Sequence, residues 1–294
     1  MRECDAIILE EPNTRHFSAM LNGAMTIDAY LEENDFEFLE FERRSCRLFR
    51  EFHNEGRSIY QIDPFMNLLD GIHRFFEKGG KPQALNPDSE MGRVYAIERR
   101  WSAALLANYE QCPLTAFDGV VRMVQQFARE DAARNRLRDR MRAQAIAPKA
   151  LDHREVYVEA GGLHLLLLAE LRARLARYAH LRPIYLMAPV AQRLAGKRQI
   201  FSPGERLTLH YTFRPEFSGP RADLLAAHSV VHAAIIEKQE FDAVPGDYPH
   251  LRNEIETNAL VERLSFKEAK QLYGRIMGRT TCEALDIARR FVAV

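Results

Sequence analysis

Glu155-Val156-Tyr157-Val158-Glu159-Ala160-Gly161-Gly162-Leu163-His164 reads as a strand that ends in a glycine turn and hands over to a helix. Its β-branched and aromatic residues favour extended chain, and the paired glycines allow a tight turn. The Leu-, Ala- and Arg-rich run from about 163 to 178 has helical character. The same alternation recurs along the chain. Residues 6–9 (AIIL) form a short apolar run that ends at Glu10-Glu11-Pro12. Residues 58–62 (SIYQI) form a second, ended by Asp63-Pro64, and residues 182–187 (RPIYLM) a fourth. Between these strands lie helical spacings. One covers 36–55, with Phe38, Phe41, Leu48, Phe49 and Phe52, and Gly56 sits where a C-cap belongs. Others cover 65–77, 90–111 and 115–147, with Pro113 between the last two. Short strands alternating with helices predict an α/β fold: a central, mainly parallel sheet flanked by helices.

The run 205–213 (ERLTLHYTF) alternates and is read as a further strand or a strapping segment. After about residue 218 the pattern is helical to the end. Ser265 with Glu268 fits a capping box, and Thr280 or Thr281 caps a last helix. The loop 196–204 marks the expected boundary between an α/β core, 1–196, and a mostly helical C-terminal region, 197–294. That region is expected to pack back on the core or to form a homodimer interface.

The chain has 294 residues with 41 basic and 41 acidic side chains, so whole-molecule attraction to nucleic acid or an anionic membrane is not expected. No apolar run approaches the length of a membrane span, and the first residues lack signal-peptide architecture. Cys4, Cys46, Cys112 and Cys282 are scattered without a CxxC, which predicts reduced thiols in a cytoplasmic protein. The phosphate-loop, dinucleotide-binding, nucleophile-elbow and HExxH patterns are all absent, which takes most of the support from those enzyme classes.

In open α/β sheets ligands sit beyond the carboxyl ends of the strands. Glu10 and Glu11 follow the first strand, Asp63 the second, and Glu159 and His164 the third. Carboxylates with an imidazole at one sheet edge suit general acid–base work or a divalent metal, with His164 and Glu10 as ligands. Acidic residues at strand ends also serve simply as caps of the following helix. A second feature is the helix near 122–142, which carries Arg122, Arg129, Arg134, Arg136, Arg138, Arg140 and Arg142. Arg134, Arg138 and Arg142 share one face. They read either as an anion clamp or as a solvated face with internal pairs such as Asp131 with Arg134. His228 and His232 stand four apart on a helix, without a catalytic residue between them, and read as structural.

Three segments resemble blocks of the TraB/TIKI-type proteins, a group that includes ChaN-like haem-binding proteins and erythromycin-esterase-like hydrolases. The segment 5–15, with Glu10 and Arg15 five residues apart, resembles the group's strand-Glu-Arg block. The segment Arg138-Asp139-Arg140-Met141-Arg142-Ala143 resembles its RNxxMA helix, with Asp139 in place of Asn. The segment 156–164 resembles its strand-G-x-GH block. The resemblance covers about residues 5–190. It implies an α/β sandwich and hydrolysis assisted by a metal or by His and Glu. On that basis the catalytic residues are His164, Glu10 and Asp63. Arg15, Arg138, Glu11 and Glu159 hold the substrate, a small molecule or a peptide. Members of the group begin with a strand bearing a GxxH-type motif, and this chain starts at the second block. The expectation is then either a later start codon than the true one, or a site lacking that histidine and a sheet with an unfilled position. The second case favours a different class of function, a non-catalytic ligand-binding protein (haem included) or an interaction module.

Overall fold

The computed structural model describes residues 3–34, 36–111, 115–239, 241 and 246–293. The chain divides into two compact units, residues 1–96 with 136–182, and residues 97–135 with 183–294. This grouping joins 97–135 to the C-terminal helices, where the sequence pattern keeps 1–196 together.

The first unit is built on a three-stranded parallel sheet: β1 (Ala6–Leu9), β2 (Ser58–Gln61) and β3 (Val156–Val158), in the order β2-β1-β3. The central strand is fully buried over its whole length, as a strand covered on both faces must be. Its side chains alternate. Ile7 and Leu9 pack with Phe17, Met20, Leu21, Tyr30, Leu31, Cys46, Phe49 and Phe52. These come from α1 (Phe17–Leu21), α2 (Ile27–Glu32) and α3 (Leu39–Asn54). Ile8 points the other way, onto Ala143, Ile146 and Ala147 of α6 (Phe117–Leu151) and Leu167, Leu171 and Leu175 of α7 (Leu165–Leu175). The period of two along a strand thus sorts one apolar run into two cores. Between β2 and α6 come α4 (Pro64–Glu77), a short 3-10 turn (Pro82–Ala84) and α5 (Glu90–Gln111). α4 starts with Pro64 in its first turn and Asp63 as its N-cap, whose carboxylate accepts the Met66 N–H at 3.2 Å.

The α/β expectation therefore holds in outline, although the sheet is small and helices dominate. Two expected strands are absent. Residues 182–187 are irregular chain and turn, followed by α8 (Ala188–Ala195). Pro183 has no N–H to give a ladder, and β-favouring residues make a strand only where a partner strand lies beside them. Residues 205–213 belong to α9 (Pro203–Phe213). Here Ser202, Pro203 and Glu205 form a complete helix start with a capping box, and Leu207, Thr208, Tyr211 and Thr212 are buried at helical spacing. Phe38 and Phe41, expected on the buried face of α3, are exposed.

The second unit is helical. α10 (Pro220–Ile235) is buried on most of its surface and packs with α9, α11 (Pro249–Val261), α12 (Phe266–Ile276) and α13 (Thr281–Val292). The capping boxes predicted at Ser265 and at Thr280 are both present. His228 Nε2–H donates to the backbone carbonyl Leu264 O at 2.8 Å, and His232 Nε2 meets Glu254 Oε1 at 3.1 Å, so both rings are tied to neighbours within the helical unit. Cys4, Cys46 and Cys282 are free thiols, and Cys112 lies outside the described residues. Among the described residues no helix is long and apolar enough to cross a membrane.

Candidate functional site

Parallel strands bring their carboxyl ends to one edge, and each end delivers a group to the same point. Glu10 follows β1, Ile62 and Asp63 follow β2, and Glu159 follows β3. Two helices cover that edge. α6 presents Arg138, Asp139 and Arg142 within little more than one turn, and α7 begins at its N-cap, His164.

These groups form one connected network. Both ring nitrogens of His164 face carboxylates. Nε2 lies 2.8 Å from Glu10 Oε1, and Nδ1 makes a short contact with Asp139 Oδ1. Asp139 is fully buried, and its second oxygen accepts the Leu167 N–H at 3.0 Å, which anchors the first turn of α7. Glu10 is contacted on both oxygens. Oε1 also meets Arg138 Nη2 at 3.1 Å and Arg142 Nη1 at 3.4 Å, and Oε2 accepts the Gly161 N–H at 2.6 Å. Arg138 donates from Nε to Asp63 Oδ2 at 2.7 Å. Arg142 is fully buried and donates to two carbonyls, Ile62 O at 3.3 Å and Glu159 O at 2.9 Å. One guanidinium thus ties the ends of β2 and β3 together and faces the carboxylate that ends β1.

The electrostatics follow from this packing. Burial alone would favour neutral His164, but hydrogen bonds to Asp139 and Glu10, and their charges, overcome it and raise its pKa from 6.5 to about 9. Burial likewise resists ionisation of Glu10. The hydrogen bond from His164, the charges of Arg142 and His164 and the Gly161 N–H prevail and hold it down at about 2. At neutral pH the His164 imidazolium therefore faces the ionised Glu10 carboxylate, with Arg138 and Arg142 against Glu10 and with Asp63 and Asp139 completing the contacts. Glu11 behaves differently. Burial first, then the charges of Glu42 and Glu159, push its pKa up, against a hydrogen bond from Gln61 Nε2 at 2.7 Å.

The fold brings together Glu10, Asp63, Arg138, Glu159 and His164 from the residues that the sequence singles out. Glu159 joins through its carbonyl and through a contact of 3.4 Å from the Glu10 N–H to its Oε2. Glu11 stands beside the network, on Gln61. Arg15 is exposed and makes none of these contacts. Asp63 is a helix cap and an ion-pair partner together. His164 and Glu10 face each other directly. Among the described residues no group of three or more His, Cys, Asp or Glu could hold a metal ion. The arginine face splits in use: Arg138 and Arg142 serve the network, while Arg134 pairs with Glu98 at 2.6 Å and stacks on Trp101. Sequence reasoning assigned no site role to Asp139 and considered Arg142 only within an arginine face that reads as an anion clamp or a solvated face. The signal for Asp139 was the resemblance to the RNxxMA helix, in which it takes the place of Asn, and the signal for Arg142 was its face shared with Arg138.

No family model matches the chain, and no solved structure matches it. It is similar to an uncharacterized protein from Archaeoglobus fulgidus, 29% identical over 270 residues that cover 92% of this chain and 89% of that protein.

Proposed function

We propose that the chain is a hydrolase of the kind implied by the resemblance to TraB/TIKI-type proteins, with its reaction centre at the carboxyl ends of the strands. The observation that carries this reading is His164 held between Asp139 and Glu10 beside two arginines. Asp139 fixes the imidazole through Nδ1, so Nε2–H, which meets Glu10 at 2.8 Å, is the proton that an incoming group takes over by displacing Glu10. As a cation at neutral pH, His164 acts as a general acid toward the leaving group. Arg138 and Arg142 hold the negative charge that develops on an attacked carbonyl or phosphoryl oxygen. Glu10, pinned at about 2, is a weak base. Glu11 stands beside this centre on Gln61, with its pKa raised by burial. The reading requires no metal ion, because both ring nitrogens of His164 already meet carboxylates and ligation would break one of these pairs.

A second reading rests on the balance of the same network. His164, Arg138 and Arg142 meet Glu10, Asp63 and Asp139 in a closed set of contacts, which suits a non-catalytic binding or interaction module whose strand ends are locked by ion pairs. One experiment separates the two. Wild-type protein and His164→Ala are assayed on a panel of p-nitrophenyl esters, phosphoesters and acyl amides, with elemental analysis and a visible absorption scan of both. Turnover that falls roughly a hundredfold or more in the variant, with circular dichroism unchanged, supports the hydrolase. A folded wild-type protein that turns over none of the panel overturns it in favour of the module. A Soret band would identify haem as the bound group, and stoichiometric metal lost in the variant would give His164 a ligand's role.

A further inference from the structure

We propose that the second unit binds a phosphorylated small molecule at the corner between α9 and α10, where Arg206, Arg214 and Arg221 gather around the His210 imidazole. A tight turn builds this corner. The Arg214 N–H donates to His210 O at 2.8 Å and the Phe217 N–H donates to Arg214 O at 2.9 Å, so the chain folds back on the last turn of α9. Phe217 therefore lies on His210, with ring centroids 4.4 Å apart and planes inclined by 18°. Tyr211, fully buried, meets Phe217 edge-on at 5.9 Å and holds this aromatic floor in place. Arg206 stands one helical turn before His210 on the same face of α9. Arg214 lies in the turn itself, and Arg221 in the first turn of α10.

The charges meet at one ring. Burial first, and then the positive charges of Arg221, Arg214 and Arg206, push the pKa of His210 below 6.5. Guanidiniums from two helices and their connecting turn are thus close enough to one imidazole to keep a proton from it. Arg206 has a carboxylate of its own, Glu262. Arg214 and Arg221 are exposed and make no ion pair among the described residues. The acidic side chains nearby in the chain do not close the cluster. Glu205 accepts the Ser202 N–H in its capping box, Asp223 accepts from Gln125 at 2.7 Å, and Glu216 is exposed without an ion pair among the described residues. Like charges held together cost free energy until an anion joins them. A phosphate dianion suits the cluster better than a carboxylate. Its terminal oxygens accept paired hydrogen bonds from more than one guanidinium, and its double charge matches them. The patch is confined to one corner of a chain with 41 basic and 41 acidic residues, which points to a small molecule and not to a track for a polyanion.

The test follows the His210 ring by proton NMR in the full chain, its signal identified by its loss in His210→Gln. Pyrophosphate is the probe, against chloride and acetate at equal ionic strength. The His210 signal of the wild type should shift saturably with pyrophosphate, and its pKa should rise, because a bound anion offsets the arginines. Acetate should bind roughly tenfold or more weakly. Arg214→Gln with Arg221→Gln, both at exposed positions, should leave circular dichroism unchanged and weaken pyrophosphate binding roughly tenfold or more. Without ligand the same pair of changes should raise the pKa of His210, since two repelling charges are gone. Arg221→Gln alone should move both readouts in the same directions. A His210 signal that pyrophosphate moves no more than chloride does overturns the proposal, and so does a shift confined to other histidines, His164 included. Equal binding by the double variant overturns it as well. An oligonucleotide of about ten residues that binds far more tightly than pyrophosphate would overturn the small molecule in favour of a nucleic acid.

Discussion

His164 makes the stability of the first unit depend on alkaline pH, and His164→Gln removes that dependence. Its pKa rises from 6.5 in the unfolded chain to about 9 in the folded one. A group raised on folding stabilises fully below its unfolded value and loses that contribution as pH climbs through its folded value. Each pH unit between the two values is worth about 1.4 kcal/mol, so the full contribution is about 3 kcal/mol. The side chain is about nine-tenths buried, so solvent screens little of this. The contribution is essentially complete near pH 5.5, about 2 kcal/mol near pH 7.5 and nearly gone near pH 9.5. Glu10 works in the opposite direction. Held at about 2 against 4.5, it contributes above 4.5 and loses its share as pH falls toward 2, so the window near pH 5 to 6 is where both groups stabilise together. The two contributions describe one ion pair and do not add. The assay is urea unfolding followed by circular dichroism, for wild type and His164→Gln, at these three pH values. The difference between the two proteins should shrink by about 3 kcal/mol from the lowest pH to the highest. Curves that stay parallel across the range would refute the claim that His164 is held as a cation between two carboxylates.

Asp139→Asn should cost about 3 kcal/mol of stability, since it leaves a buried imidazolium with one carboxylate and weakens the anchor at the Leu167 N–H; urea midpoints measure this directly. The same change should lower the NMR-measured pKa of His164, and an unshifted titration would remove Asp139 from the network. Ser265→Ala should cost about 1 kcal/mol through loss of the α12 capping box, read as a lower melting temperature of the second unit. That variant should keep any hydrolytic activity intact, because its contacts lie wholly within α12.

The parts of the fold that a reader can take from the sequence are those with local causes. β1, β2 and β3 each end at a sharp signal: Pro12, Pro64 and the Gly161-Gly162 turn. The helix starts at Ser265 and Thr280 carry their own capping residues, and both stand where the spacing predicts. The misreadings have causes that are not local. Residues 182–187 have the composition of a strand, but a strand is a pairing, and no neighbour is written into the segment itself. Residues 205–213 alternate like a strand, but Ser202-Pro203 and Glu205 begin a helix before the alternation can count. Phe38 and Phe41 keep the helical period of α3 yet face solvent, because α3 begins only at Leu39 and its core contacts start at Cys46.

The site was legible by the same rule. Its strand-end residues could be named because a parallel sheet delivers all its carboxyl ends to one edge, whatever their order in the chain. Their partners come from the far side of the sequence, with Glu10 and His164 more than 150 residues apart. No spacing within a segment states that Arg142 will bond the carbonyls that end β2 and β3, or that Asp139 will close the imidazole from below. Those contacts have a structural consequence that bears on function. Arg142, Glu10 and the Gly161 N–H hold the ends of all three strands with charged hydrogen bonds and ion pairs, so the edge where a ligand would bind is also the edge that fixes the sheet. A substrate able to draw Glu10 away from His164 would have to offer an oxygen to the same imidazolium and the same two arginines, which favours ligands bearing a carboxylate, phosphate or polarised carbonyl over cationic ones.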